Sequence, residues 1–188
     1  MVAQPRNDRS DGALTRAEYE ELVRRGVLDD ANVELLQGRV VCMSPQGDRH
    51  RIAVRRLARL FIRGLGDRAA VDVQASYAAS DASKPEPDVA VLPPGDEIGT
   101  GARQAWLVVE VAETSLARDR GVKARLYAAV RIREYWIVNL VDDVIEVYRD
   151  PGPDGYARST RHAPGDSLCV AGFTDVAVRV EDVLPPVR

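Results

Sequence analysis

Few residue types that anchor ready-made sites occur in this chain. There are two cysteines, Cys42 and Cys169, far apart and without ligand-like spacing, which argues against a disulfide framework or a cysteine-held metal. The only histidines are His50 and His162, too few for a histidine-rich zinc centre. Aromatic residues make up 5% of the chain, and no sugar-stacking cluster accompanies the acids. No apolar run approaches the ~18 residues needed to span a bilayer. The N-terminus, MVAQPRNDRSDG, is polar and carries no signal-like apolar core, so a cytoplasmic protein with reduced thiols is expected. Excess positive charge is also missing. The net charge is −3, so any nucleic-acid contact must come from a local patch. Lysine is the scarcest charged type: of the 26 basic residues only Lys84 and Lys123 are lysines. Where arginine is the default, a lysine hints at a role for a compact ammonium that a planar guanidinium does not fill.

What is present fits one globular domain. The 188 residues, 45% apolar and 29% charged, are enough for a substantial core. Residues 1–13 read as a disordered tail and 14–188 as one domain. Thr15-Arg16-Ala17-Glu18 reads as a capping box opening a short helix, with Gly26 as its stop. Val33 to Met43 is strand-like on both sides of Gln37-Gly38, a hairpin. Asp48 is a candidate N-cap for a helix over 49–64 that buries Ile52, Leu57, Leu60 and Phe61. Strands follow at Val71–Ala79, Val89–Leu92 and Trp106–Ala112. A helix over about 117–130, capped by Thr114 or Ser115, then strands Glu134–Leu140 and Val144–Tyr148, come next. After a turn-rich stretch, short strands lie near Leu168–Val170 and Val176–Val180. The order predicts an α/β domain with a mixed sheet.

Three segments carry the chemistry: PEPDVAVL with Asp88, WLVVEVAETS with Glu110, and DRGVKARLY with Lys123. Carboxylates beside or inside buried-type strands cost folding energy unless paired, hydrogen-bonded or on a metal. Strand alternation allows Asp88 and Glu110 to share a sheet face. Asp119, Lys123 and Tyr127 recur at i, i+4 and i+8 as a polar stripe, with Val122, Leu126, Ala129 and Val130 as the apolar side. Two carboxylates and a lysine suit a divalent cation that activates water against a phosphodiester. The competing structural reading for Glu110 is an ion pair with Arg103 or Arg125. For Asp88 it is a turn into a strand, and for Glu34 a strand-edge surface acid. Tyr127 reads equally as a core-rim aromatic. Trp106, Tyr135 and Trp136 read as core. His50 reads either as a contact to phosphate or a catalytic water, or as an ordinary first-turn residue. Arg51, Arg55 and Arg59 recur at i, i+4 and i+8 and suit either a phosphate backbone or a solvated face.

The words VELLQGRVVCMSP, His50 opening a helix, PEPDVAVL, LVVEVAETS, Asp119-x-x-x-Lys123 and EYWIVNL, in this order, resemble the Uma-two-type endonucleases. That family of unknown-function domains is placed in the PD-(D/E)XK nuclease superfamily. The resemblance covers most of residues 15 to 150. It implies a restriction-endonuclease-like fold, Asp88 and Glu110 as ligands of Mg²⁺ or Mn²⁺, and Lys123 as the superfamily lysine. That lysine is displaced onto the following helix, because Ala112 stands at its usual place. Glu34 matches the acid of the N-terminal E-L-x-x-G word and is expected to complete the site, with Gln74 facing the same cleft. Val130-Arg131-Ile132 departs from the family's Gly-Val turn. The expected activity is metal-dependent hydrolysis of DNA, with a homodimer suited to cutting both strands. The rivals are a binding or dimeric regulatory module of weak or no catalysis on the same fold and, more remotely, a two-carboxylate glycosidase.

Overall fold

Two of the chain's strands are largely apolar runs, one interrupted by Glu110 and the other opened by Glu134, and the architecture shows why. In the computed structural model, which describes residues 12–28, 33–95, 105–170 and 172–186, both are buried over their whole length. They are β5 (Leu107–Ala112) and β6 (Glu134–Asn139), and they pair in parallel at the middle of a six-stranded sheet. The other members are β3 (Ala70–Val73), β4 (Val89–Leu92), β7 (Val144–Gly152) and β8 (Gly155–His162), in spatial order β3-β4-β5-β6-β7-β8. Every pairing except β5–β6 is antiparallel. A parallel pair needs a crossover, and here it is helical and covers one face.

The two faces are distinct cores. On one, α2 (Asp48–Leu65) lays Val54, Leu57, Phe61 and Leu65 on Val89, Val91, Val109 and Trp136. Strands β9 (Ser167–Val170) and β10 (Phe173–Arg179) and helix α5 (Val180–Val183) close this face. On the other, the crossover sets Ala124 and Tyr127 against Ala90, Val108, Ala112, Tyr135 and Ile137. Burial on both sides removes the selection for alternation that a half-exposed strand shows.

Helix α1 (Arg16–Arg24) has the expected capping box, with Glu18 N–H donating to Thr15 Oγ1 at 3.2 Å and Thr15 N–H to the Glu18 carboxylate at 2.8 Å. The hairpin of β1 (Val33–Leu36) and β2 (Arg39–Cys42) turns on Gln37 and Gly38, both with positive φ, as a two-residue turn matched to strand twist requires.

Several local expectations are corrected. Gly47, not Asp48, is the N-cap of α2, and Asp48 instead pairs with Arg51 one turn on. Ile52 and Leu60 are only half-buried, and Ala53, Val54, Ala58 and Leu65 take their place in the core. Strand β3 stops at Val73 because Gln74 is left-handed at φ 49°. The turn-rich region is in fact a long hairpin in which β7 continues to Gly152 and pairs with β8. The helix over 117–130 is three pieces: α3 (Leu116–Arg118), a π-helical turn (Asp119–Lys123) and α4 (Ala124–Ala129). The proposed tail lies in residues that are, up to 11, outside the described ones. Among the described residues no helix is long and apolar enough to cross a membrane.

Candidate active site

Asp88 stands one residue before β4, and the register Val89↔Val109 brings it beside Glu110 on β5. Both are buried. Val111 N–H donates to Asp88 Oδ2 at 2.8 Å, and His50 Nε2 faces the same oxygen at 3.1 Å. Among the described residues Asp88 Oδ1 accepts no hydrogen bond, and Asp88 lines the cleft. Glu110 repeats the pattern: Lys123 Nζ donates to Oε1 at 2.9 Å and Tyr127 OH at 2.7 Å, while among the described residues Oε2 accepts none. Each acid is thus held by one oxygen.

Lys123 reaches Glu110 because of the π turn. An extra residue in a helical turn is a local distortion that recurs at functional positions. Here it points Asp119, Lys123 and, one α-turn later, Tyr127 at the sheet, so the polar stripe is the buried side of the crossover. Ala129, expected on the apolar side, is exposed. Lys123 Nζ also lies 3.0 Å from Glu34 Oε2, so β1 delivers its buried acid to the same ammonium. Arg118 adds a looser contact to Glu34 at 3.6 Å. The structural pairing expected for Glu110 is therefore with Lys123 and not with Arg125, which is exposed; Arg103 lies outside the described residues.

These groups line a cleft of about 50 Å³, room for a small ion with a few waters. Its wall carries Glu34, Glu86, Asp88, Glu110, Glu113 and Asp119 against only Arg118 and Lys123 as fixed cations. Burial pushes Glu110 well above the usual carboxylate range; Lys123 opposes this, and Asp119, Asp88 and Glu34 add to it. Burial alone would lower Lys123, but Glu110, Glu34 and Asp119 outweigh it and hold the ammonium above the ordinary lysine range. The lysine stays charged, and the surplus is negative. Asp119 is also raised, by burial first and then by Asp88, against the pull of Lys123 and of Ser115 Oγ, which donates to Oδ2 at 2.5 Å.

The donor set fits a hard divalent cation. Mg²⁺ is commonly held by one or two carboxylates and keeps several waters. Asp88 and Glu110 are the two carboxylates that could serve such an ion. Among the described residues no group of three or more His, Cys, Asp or Glu side chains converges as a closed ligand cage, so the remaining positions would fall to water and substrate. Asp119 Oδ1 and His50 Nδ1, buried atoms of two residues that line the cleft, have no hydrogen-bond partner among the described residues.

His50 and Gln74 also line the cleft, and Gln74 Nε2 donates to Gln46 Oε1 at 2.8 Å across its mouth. Arg51, Arg55 and Arg59 lie outside it, along the exposed side of α2. Tyr127, Tyr135 and Trp136 are fully buried, and Trp106 is partly so. Glu86, Glu113 and Asp119 are wall acids without a role of their own in the residue pattern. Of these Asp119 alone had a signal, the four-residue step to Lys123.

The mixed sheet with its helical crossover is a restriction-endonuclease-like fold, and within it Lys123 lies over Glu110. The chain belongs to the Uma2 family, described as "Putative restriction endonuclease", whose model matches residues 16–181. Its fold is similar to a crystal structure of a "putative nuclease" of the DUF820 group from Anabaena variabilis, with TM-score 0.65 and 16% identity over 80% of this chain and 88% of that one. Among curated proteins none matches the chain.

Proposed function

We propose that the cleft is the centre of a metal-dependent endonuclease that hydrolyses phosphodiester bonds in DNA, with residues 14–188 as one nuclease domain. One observation carries this reading. Asp88, at the start of β4, and Glu110, on the adjacent β5, are each anchored through one oxygen and line the same acidic cleft. Asp88 and Glu110 would hold Mg²⁺ or Mn²⁺. The ion supplies charge neutralisation at the scissile phosphate and a lowered pKa for water. Lys123, kept protonated by its acids, stabilises negative charge that develops on the phosphate oxygens. Glu34 positions Lys123 from the hairpin side. His50 and the Val111 N–H fix the Asp88 carboxylate, and Tyr127 fixes Glu110. Cutting both strands of a duplex calls for two such centres, which suits a homodimer.

The double ion pair of Lys123 with Glu34 and Glu110 favours a second reading. A cleft neutralised by its own lysine would serve a binding or regulatory module with little or no catalysis. Mn²⁺ calorimetry on wild type, Asp88→Ala and Glu110→Ala, with folding checked by circular dichroism, separates the two. Binding by wild type alone, with metal-dependent nicking of plasmid DNA that Lys123→Ala abolishes, supports the enzyme. No binding at millimolar Mn²⁺, with or without DNA, leaves the module.

A further inference from the structure

A second concavity opens from the mouth of the cleft. It runs between α2 and the edge strand β3, encloses about 580 Å³, and shares Gln46 and Gln74 with the cleft as a common neck. Its floor is apolar: Val54, Ala58, Ile62 and Val73, of which Ile62 is 55% and Val73 39% exposed. Its rim is Arg51, Arg55, Arg59 and Arg63, one side chain per four residues along α2. The helical rise separates these arginines by ~6 Å, comparable to the step between consecutive phosphates on a strand. Several arginines elsewhere sit on acids, as Arg49 does on Asp143, Arg68 on Asp175 and Arg149 on Glu134, while Arg39, Arg125 and Arg133 stand singly without an ion pair among the described residues. In the groove only Arg51 has an acidic partner, Asp48; Arg55, Arg59 and Arg63 make no ion pair or hydrogen bond among the described residues. Three unneutralised guanidinium groups in a net-acidic chain mark a surface complementary to a polyanion.

We propose that this groove binds a single-stranded segment of nucleic acid next to the bond that is cut. The phosphates track the arginine rim and the unstacked bases rest on the apolar floor. Charge alone would suit any nucleic acid, but the floor narrows the choice. In a duplex the flat faces of the bases are hidden in the stack, and only phosphates and groove edges meet a protein. An apolar floor beneath a phosphate-spaced rim finds a matching surface only when bases are splayed, and guanidinium planes add stacking faces of their own. The shared neck at Gln46 and Gln74 then hands the strand directly to Asp88 and Glu110. The proposal rests on the nuclease reading for what happens at that end, but binding in the groove does not require the metal.

The test is fluorescence anisotropy with a labelled 20-nucleotide DNA, single-stranded or as a duplex, titrated with the full-length chain in EDTA at several salt concentrations. The wild type is expected to bind the single strand at least tenfold tighter than the duplex, with a log–log salt slope of ~−2 for three neutralised phosphates. Arg55→Glu/Arg59→Glu should weaken single-strand binding at least tenfold and flatten the slope. Ile62→Asp should weaken the single strand and leave the duplex within twofold. The remote pair Arg24→Glu/Arg25→Glu, with the same charge change, should bind like wild type. Thermal melts confirm that each exposed variant folds. Equal affinity of wild type and the groove variants overturns the proposal, as does tighter binding of duplex. So does a concentration-dependent dimer that Ile62→Asp dissolves while no oligonucleotide binds, because the groove is then a self-interface. Asp88→Ala keeps the two readings apart. If it loses Mn²⁺ and keeps the single strand, both stand. Groove binding without any Mn²⁺ binding in wild type sinks the nuclease reading alone, and cleavage indifferent to the arginines sinks the groove alone.

Discussion

Glu110 and Glu146 occupy one row of the sheet, each paired across the ladder with Ile137, and each is 4% exposed. Their environments nevertheless drive them in opposite directions. Glu146 takes Arg120 on both oxygens, Asn139 Nδ2 on Oε1 and Tyr148 OH on Oε2; burial opposes these donors, yet they hold the carboxyl below its usual range. Glu110 takes Lys123 and Tyr127 on one oxygen only and stands well above that range. The partners leave the same turn: Arg120 and Lys123 are both in the π-helical segment and diverge to the two acids. A guanidinium fork closes one site. A single ammonium, shared with Glu34, leaves the other with an open oxygen and surplus charge. Glu110 differs from Glu146 in two ways: its neutralisation is left incomplete, and it lies deeper beneath the crossover.

Substitutions at the two acids break the comparison most sharply. Glu110→Ala or Asp88→Ala should lower Mn²⁺ affinity by more than the ~10–100-fold that loss of an outer partner costs, and nicking activity with it. Glu146→Ala should leave Mn²⁺ affinity within twofold. Its cost falls on stability, about 1–3 kcal/mol by denaturant unfolding, because Arg120 remains partly solvated once its acid is gone. If Glu146→Ala abolishes metal binding instead, the division of labour along the row is wrong.

His50→Ala tests the outer support of Asp88. A fall of ~10–100-fold in Mn²⁺ affinity with little change in melting temperature is expected, and unchanged affinity would make His50 a packing residue. The raised Glu110 gives a pH signature. The folded state favours its protonated form, so its contribution to stability is present below the unfolded carboxyl pKa. It is lost as pH rises through the higher folded value. Metal-free protein should therefore lose Tm as pH climbs out of the carboxylate range, Glu110→Gln should flatten that slope, and Mn²⁺ should offset it. A Tm that rises over the same window would overturn the assignment. The smallest effect is Tyr127→Phe, which removes one donor to Glu110 and should cost about 1 kcal/mol without abolishing metal binding.

The residues that meet at the cleft were legible before any coordinates, because each breaks a local pattern: Asp88 after Pro87, Glu110 inside an apolar strand, Lys123 in an arginine-rich chain. What could not be read was how they are held. Asp119, Lys123 and Tyr127 have helical spacing, and helical spacing suggests an outward polar stripe. The π turn and the acids on the sheet make it an inward one. Glu146 broke the same kind of pattern as Glu110, and only the tertiary partner tells them apart. Gln74 ends β3 through a left-handed backbone that glutamine rarely adopts, so the strand was read as longer than it is. Strand β8 was missed because Arg158, Ser159, Thr160 and Arg161 are exposed on a sheet edge, where charge replaces apolar alternation.

The way α2 is covered has a consequence for the order in which the chain folds. Val176 of β10 sits against Gly64, where an added Cβ would come within 2.7 Å of it, and Arg56 donates to the Leu184 carbonyl 128 positions downstream at 2.6 Å. These contacts seat the helix whose first turn holds Asp88 through His50. During synthesis the acids, the lysine and the helix all emerge well before β10 and α5, and contacts of such long sequence separation form late. The wall of the cleft that α2 carries is therefore expected to settle only once residues 173–184 have docked on the helix.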